Sequence, residues 1–558
     1  MRARRPSAAK PICSVALAGA LLLAAPAAPA AAQAQMSPVS AAEATRAADG
    51  EPQVERQRRL HPDLSSSATI EDGNWEVGYF ADGEKVALVI VDNVSAAVRE
   101  TWTGHQVAWK MARGYEGSFG HTLNAPYVFL PLCALFLIGL LDWRRPWRVA
   151  NLDLLVLLAF GASHFFFNRG EIGISVPLQY PPLLYLLGRC LWIGFRGRGE
   201  GLRPAWPAAW LLVAALFLVG FRVGLNIADS GVIDVGYAGV VGADRALDGD
   251  PVYGQFPEDV SQGDTYGPLN YYAYVPFEQI WPWSGGWDSL PAAHGAAVFF
   301  DLATFALLIG LGWRLGAGRD RSLLAATLGF GWAAYPYTAF VLESNSNDTL
   351  VALALLVTLA AAARPFLRGS LLAAATLTKF APLLLAPMMA GLEGSRRSAA
   401  LFAAGFAAVA GLILAPTLLG PGLETLYERT IGYQAGRESP FSVWGQVPAL
   451  EPLRMAILIA TGLLAALAAF LPRAKSLVQV AALGAALLIG AQLTVQHWFY
   501  LYLVWFFPLL LIAIAALKPA PGPALARSRT QGRRREARPQ PPSPRHPPRR
   551  SRSEPASV

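Results

Sequence analysis

Apolar runs long enough to cross a bilayer alternate with short arginine-bearing connections along most of this chain. They fall near 127–142, 150–168, 177–195, 207–226, 295–313, 322–341, 347–363, 398–418, 448–471, 476–496 and 498–517. A further stretch, 369–393, is interrupted by Lys379 and Pro382 and reads as one span or as two half-spans. Arginines cluster at Arg144, Arg145 and Arg148, at Arg196, Arg198 and Arg203, at Arg314, Arg319 and Arg321, and at Arg364, Arg368, Arg396 and Arg397. Placing them all on the cytoplasmic side requires 369–393 to be a hairpin. The pattern thus predicts an all-α polytopic protein of roughly 13 membrane segments, with one long polar loop, 226–294, on the external face.

The N-terminal part differs. Residues 1–35 carry a basic start (Arg2, Arg4, Arg5, Lys10), an apolar core from Ile12 to Ala25 and small-residue A-x-A sequences, the pattern of a signal peptide cleaved near Ala32–Gln35. An uncleaved signal anchor is the alternative, and either places the following residues outside. Within 36–125, residues 36–65 read as a flexible polar spacer. Trp75–Tyr79 and Lys85–Val91 read as strands and Trp102–Gly114 as a helix. The segment resembles small α+β modules of the PepSY type. His105 and His121 read as surface or packing residues, because no further ligands accompany them.

Composition agrees: 54% of the 558 residues are hydrophobic, which excludes an ordinary soluble domain. The formal charge of +8 is carried by the segment from Pro521 onward, which holds ten arginines and two glutamates. This Pro-, Arg- and Ser-rich stretch, 519–558, reads as a disordered cytoplasmic tail. After a final span, such a tail points to anionic lipid headgroups and not to nucleic acid. Cys13, Cys133 and Cys190 lie in apolar stretches and suggest neither a disulfide framework nor a zinc site.

Polar motifs recur where spans meet the external side. They are Ile233-Asp234-Val-Gly-Tyr237, Ala246-Leu-Asp-Gly-Asp-Pro-Val-Tyr253, Tyr266-Gly-Pro-Leu, Glu343-Ser-Asn-Ser-Asn-Asp348, Thr378-Lys-Phe-Ala-Pro-Leu383, Ser439-Pro-Phe-Ser-Val-Trp444 and Gln496-His-Trp-Phe-Tyr500. In this order they resemble the GT-C glycosyltransferases, specifically glycosyltransferase family 87, the polyprenol-phosphate-mannose-dependent mannosyltransferases. The resemblance covers 207–518, leaving the three helices of 126–206 as additions. It implies inverting transfer of a sugar, mannose in that family, from a polyprenyl-phosphate donor to a hydroxyl of a glycolipid or glycan on the external face. No cofactor is implied, and the partners are the two substrates and membrane lipids.

An acceptor hydroxyl is a weak nucleophile and needs a base. Asp234, just past a span and on a short interfacial helix expected over Val232–Val241, is the candidate; its bland alternative is a helix cap. Asp229 is the rival. His497 and Lys379 are candidates for the donor phosphate, with Arg429 and Arg437 behind them. His497 alternatively belongs to an interfacial belt, and Lys379 alternatively pairs with Asp348 or Asp301. Asn347 and Asp348 read as a helix cap or as sugar contacts. Tyr237, Tyr266, Tyr271, Tyr272 and Trp444 read as sugar-stacking residues or loop anchors. Asp248-Gly249-Asp250 reads as a turn, and no metal is assigned to it. A multi-pass transporter or flippase is the competing class; it would place its carboxylates at mid-membrane, where Asp301 is the main case.

Overall fold

The computed structural model of the protein describes residues 39–71, 73–81, 84–103, 121–257, 260–318, 320–437 and 439–517. The leader, the expected helix beyond Thr103 and the basic tail lie outside the described residues. The chain divides into two compact units, 1–103 and 104–558.

In the first unit, α1 (Ala41–Asp49) and α2 (Pro52–Leu60) precede β1 (Ser65–Glu71), β2 (Asn74–Ala81), β3 (Glu84–Asp92) and β4 (Val98–Thr103). The strands form an antiparallel meander in the order β1-β2-β3-β4. Alternation decides which face is covered: Trp75, Val77 and Tyr79 pair across to Val91, Val89 and Ala87. These residues pack with Ala44, Ala48 and Val54 of the two helices. The expectation of a spacer over 36–65 is therefore corrected. Ser40 and Glu43 form a capping box at the start of α1, and Tyr79 donates to Asp49 Oδ1 at 2.9 Å. Trp102, expected to open a helix, lies in β4.

The second unit is helical. Its principal helices are α3 (Pro126–Leu140), α4 (Val149–Asn168), α5 (Ile172–Leu178), α6 (Tyr180–Arg196), α7 (Ala208–Asp229), α8 (Asp234–Asp248), α9 (Pro268–Tyr272), α10 (Pro291–Leu315), α11 (Asp320–Ala334) and α12 (Pro336–Glu343). They continue with α13 (Asp348–Ala360), α14 (Pro365–Thr376), α15 (Arg396–Leu419), α16 (Glu451–Phe470), α17 (Leu477–Gln492) and α18 (Leu503–Ala515). Among the described residues five helices combine the length and apolar character needed to cross a membrane: α4, α7, α10, α15 and Pro448–Phe470, which contains α16. The other apolar helices are shorter, so the five do not reach the roughly 13 segments expected. α15 and α16 leave Leu412, Leu419, Ile459, Leu463 and Phe470 exposed, the faces of helices that meet lipid.

One departure from the expected spans has proline as its cause. The run 322–341 is broken between α11 and α12, because Pro336 lacks an N–H and holds Tyr335 extended (φ −71°, ψ 122°). The carbonyl of Trp332 thereby loses its donor four residues on. Thr338 Oγ1 (2.6 Å) and Arg222 Nη1 (3.2 Å) donate to it instead. Arg222, fully buried on α7, also binds Asp301 Oδ1 of α10 at 2.8 Å, and Trp332 Nε1 donates to that same oxygen at 2.9 Å. The run 369–393 takes the second of its two expected forms: it is two pieces, α14 and the short helical stretch Ala381–Ala390, separated by Leu377–Phe380. α14 lies against α15 so closely that a Cβ at Gly369 would come 2.0 Å from Phe402 O, and one at Gly405 2.1 Å from Phe366 O.

Breaking a buried ion pair leaves an uncompensated charge at a cost of about 3–5 kcal/mol. Asp301→Ala should therefore lower the thermal unfolding midpoint of the detergent-solubilised protein sharply. The double replacement Arg222→Met with Asp301→Leu should lower it much less.

Candidate functional site

The site is organised by the turn between α12 and α13, Glu343–Asp348, all of which is buried. Asn345 takes a positive φ of 48°, which asparagine tolerates better than most residues. Its side chain donates to Ser230 Oγ and Gly231 O, both at 3.0 Å, and accepts from Asn226 Nδ2 at 2.8 Å. Asn226 Oδ1 and Ser230 Oγ in turn approach His294 Nδ1 at 3.2 and 3.3 Å. The end of α7, the start of α10 and the turn are thus bound into one polar clasp.

The clasp places α8. Ile233 N–H donates to Ser344 O at 3.3 Å, and a Cβ at Gly236 would come 2.3 Å from Asn345 O. Gly239 and Gly242, at successive three-residue steps, meet the rings of Tyr274 and Tyr271. This glycine face, spelled out as Gly236-x-x-Gly239-x-x-Gly242, went unread in the sequence. The helix begins at Asp234, two residues later than expected, and continues to Asp248. Asp234 is its first residue, with Oδ1 accepting from Val235 N–H at 2.9 Å.

Asp348, at the other end of the turn, accepts from Lys379 Nζ at 2.5 Å and from Trp505 Nε1 at 2.7 Å through the same oxygen. Of the two sequence alternatives for the lysine's partner, the structure selects Asp348, since Asp301 is held by Arg222. Lys379 lies in the break after α14, and its ammonium sits 5.1, 5.2 and 5.7 Å from the ring centres of Tyr266, Trp505 and Tyr502. Tyr266 is brought there by backbone pairing: Gly267 N–H donates to Thr378 O and Leu269 N–H to Leu377 O.

Beside this group opens a cleft of about 380 Å³. Lys379, Tyr266, Tyr502 and Trp505 form one wall, and Arg437, Arg454 and His497 bring positive charge and hydrogen-bond donors to the others. Arg454 is paired with Glu451 at 2.5 Å. Arg437 lies over the ring of Tyr433 at 5.8 Å and makes no ion pair within 4 Å among the described residues. His497 Nδ1 is 2.9 Å from Ser439 Oγ, and its ring stands edge-on to Phe441. Burial, with Arg437 nearby, holds this imidazole well below its usual range, so the ring is neutral at pH 7.

Asp234 does not line the cleft but lies within electrostatic reach of its Arg437 and Lys379. The residue keeps an exposed surface, yet the surrounding protein excludes enough water to raise its pKa. Burial is the leading cause, assisted by Asp348 and opposed by Val235 N–H, Arg437 and Lys379.

The helices that precede α7 reach the surroundings of His497. Ser163 of α4 and Ser175 of α5 lie 2.7 and 3.1 Å from the hydroxyl of Tyr500, and His164 stacks on that ring at 4.4 Å. Tyr180 OH accepts from Val443 N–H at 3.1 Å, and Gln446 Nε2 donates to Ile172 O at 3.2 Å. The 439–446 loop that contacts His497, and Tyr500 three residues beyond it in the chain, are therefore held by helices that sequence reasoning left without a role.

The remaining candidates lie elsewhere. Asp229, exposed at the end of α7, accepts from Thr122 Oγ1. Tyr237 is fully buried against Trp287 and Trp283 (4.8 and 6.0 Å) and does not reach the cleft. Trp444 is buried with Nε1 donating to Leu493 O at 3.0 Å, so it anchors a loop. Tyr271 packs in the core and donates to Gly263 O; Tyr272 lies at a separate crevice formed with Thr417. Asn347 is buried next to Asp348 at the head of α13. Arg429 is committed to Asp264 at 2.5 and 2.7 Å and does not line the cleft. Gly249 takes a left-handed conformation (φ 79°) that ends α8, which makes Asp248-Gly-Asp250 a turn. Tyr502 and Trp505 were missed. Their signal, an aromatic pair three residues apart at the start of the last helix, is also that of an interfacial belt.

Fold and site together define a helical protein of membrane type whose polar turn, broken helix and cationic, aromatic-walled cleft converge at one end. The chain matches no family model, and no curated protein matches it.

Two outcomes follow from this geometry. Gly236→Ala forces a methyl against a backbone oxygen and should displace the start of α8, lowering stability by about 1–3 kcal/mol in denaturant unfolding. For His497 the unfolded ring titrates near pH 6.5 and the folded ring lower, so the unfolded state takes up the proton first. Stability should therefore fall as the pH drops below about 6.5. His497→Gln should lose less on moving from pH 7.5 to pH 5, measured by thermal unfolding.

Proposed function

We propose that this protein is a membrane glycosyltransferase of the GT-C type, transferring a sugar from a polyprenyl-phosphate donor to a hydroxyl of a glycolipid or glycan at the extracytoplasmic face. The supporting observation is the convergence of Lys379, Arg437 and His497 on one cleft, within electrostatic reach of a carboxylate of raised pKa, Asp234. Mannose is the sugar suggested by the resemblance to glycosyltransferase family 87.

In this reading Asp234 accepts the proton of the acceptor hydroxyl as its oxygen attacks the anomeric carbon. The bond from that carbon to the phosphate oxygen breaks on the opposite side, so the configuration inverts. The departing polyprenyl phosphate keeps the bonding electrons. Arg437, which makes no contact ion pair among the described residues, and Lys379 face that charge; neutral His497 offers a hydrogen bond. Asp348 and Trp505 hold Lys379 in place, so they act by positioning. A transporter would be expected to use free mid-span carboxylates. Asp301 and Asp153 are each bound by an arginine, Arg222 and Arg189.

Membranes carrying the wild type should transfer label from radiolabelled polyprenyl-phosphate-mannose to endogenous acceptor. Asp234→Asn should lower transfer about 10²–10⁴-fold while the protein remains folded. Equal transfer by both would remove Asp234 from the mechanism. Because burial raises the pKa of this carboxyl and the ionised form is the base, activity should decline on the acid side at a pH above the ordinary aspartate value of about 3.9.

A further inference from the structure

The end of the helical unit opposite Asp234 carries a second cationic crevice. α7 runs 22 residues, about 33 Å at 1.5 Å per residue, from Ala208 to Asp229. Asp234 follows its end, whereas the crevice lies at its start. A volume of about 420 Å³ opens there between the α3–α4 and α6–α7 connections. Arg144, Arg145, Arg148 and Arg203 line it against only two carboxylates, Asp142 and Glu200.

The carboxylates are largely engaged by one arginine. Arg148, only 10% exposed, contacts Asp142 at 2.7 Å and Glu200 at 2.9 Å and donates to Gly201 O at 3.0 Å. It is the brace that joins the two connections. Arg145 reaches Glu200 only at 3.9 Å, and Arg203 reaches Asp320 only at 3.9 Å. Arg144 makes no ion pair among the described residues. Three guanidinium groups around one cavity are therefore weakly compensated, which suits a phosphate bound by several charge-assisted hydrogen bonds.

The surroundings select a lipid as the source of that phosphate. Trp147 is 98% exposed, and Trp143 and Trp206 are exposed beside it, both donating to Ile138 O. Exposed indoles of this kind mark the level where acyl chains meet headgroups. Arg203 also lines an adjoining crevice walled by Leu517, and from there the chain enters the segment with ten arginines and two glutamates. We propose that the Arg144, Arg145 and Arg203 crevice binds the headgroup phosphate of an anionic membrane lipid at the face opposite Asp234.

The test uses the full chain in a mild neutral detergent, with bound lipid counted by native mass spectrometry. Phosphatidylglycerol is titrated against phosphatidylcholine. Arg144→Gln, Arg145→Gln and Arg203→Gln are combined, leaving the Arg148 brace intact. A matched triple, Arg364→Gln, Arg396→Gln and Arg397→Gln, controls for loss of charge. The wild type and the control should retain phosphatidylglycerol over phosphatidylcholine, and the crevice triple should bind it about tenfold more weakly or worse. Equal retention by the crevice triple, or no preference in the wild type, would overturn the assignment. So would full displacement by excess inorganic phosphate, which would mark a site for the soluble ion. Thermal unfolding of all three proteins separates lost binding from lost folding.

Discussion

A charged pair inside the protein, Asp348 with Lys379, is the constraint on which the cleft-bearing end of the helical unit depends. Neither group is stable there alone, since each ion withdrawn from water costs several kcal/mol and the partner must repay it. The chain meets that requirement with three segments distant in sequence. Asp348 comes from the turn before α13, Lys379 from the break after α14, and Trp505, which donates to the same carboxylate oxygen, from α18. The aromatic rings around the ammonium keep it compensated without fixing it by further ion pairs. Because the same turn holds the start of α8 through Ser344 and Asn345, the position of Asp234 follows from that arrangement.

The helices preceding α7 acquire a role in the same terms. They contribute no residue to the cleft, but their hydroxyl groups and amides hold the two stretches that carry His497 and its partner Ser439. The helical unit therefore buttresses the His497 side of its cleft from α4, α5 and α6, while the clasp of Asn226, Ser230, His294 and Asn345 fixes the turn that ends in Asp348.

Hydropathy made the helices legible, because a bilayer-length apolar run has few alternatives to a helix. It marked the interruption at Lys379 and Pro382 but not the one at Pro336. Pro336 stands within a stretch as apolar as its neighbours, and only the diversion of Arg222 and Thr338 to the Trp332 carbonyl shows the break. The strand at Lys85–Val91 was plain from its β-branched run, whereas α1 was mistaken for a spacer although Ser40 and Glu43 spell its cap. In the candidate site, Lys379 stood out by its chemistry, since a lysine between half-helices must find a partner. Tyr237 and Trp444 illustrate the limit: an aromatic residue in a polar loop carries the same signature whether it faces a sugar, the interface or the core. Arg429 and Arg437 were equivalent as letters, and only Asp264, 165 residues before Arg429, separates their roles.

The separation of these contacts along the chain bears on how the protein is made. Ser163 meets Tyr500 across 337 residues, and Asp348 meets Trp505 across 157. A chain inserted from its N-terminus has its candidate base and its buried aspartate in place long before the last helix leaves the ribosome. Until then Asp348 and Lys379 lack the indole beside them, and the 439–446 loop lacks His497 and Phe499, which meet Ser439 and Phe441. The cleft is consequently assembled only once α18 has been made: a chain ending between Lys379 and Tyr502 carries the buried ion pair without the Tyr502 and Trp505 wall.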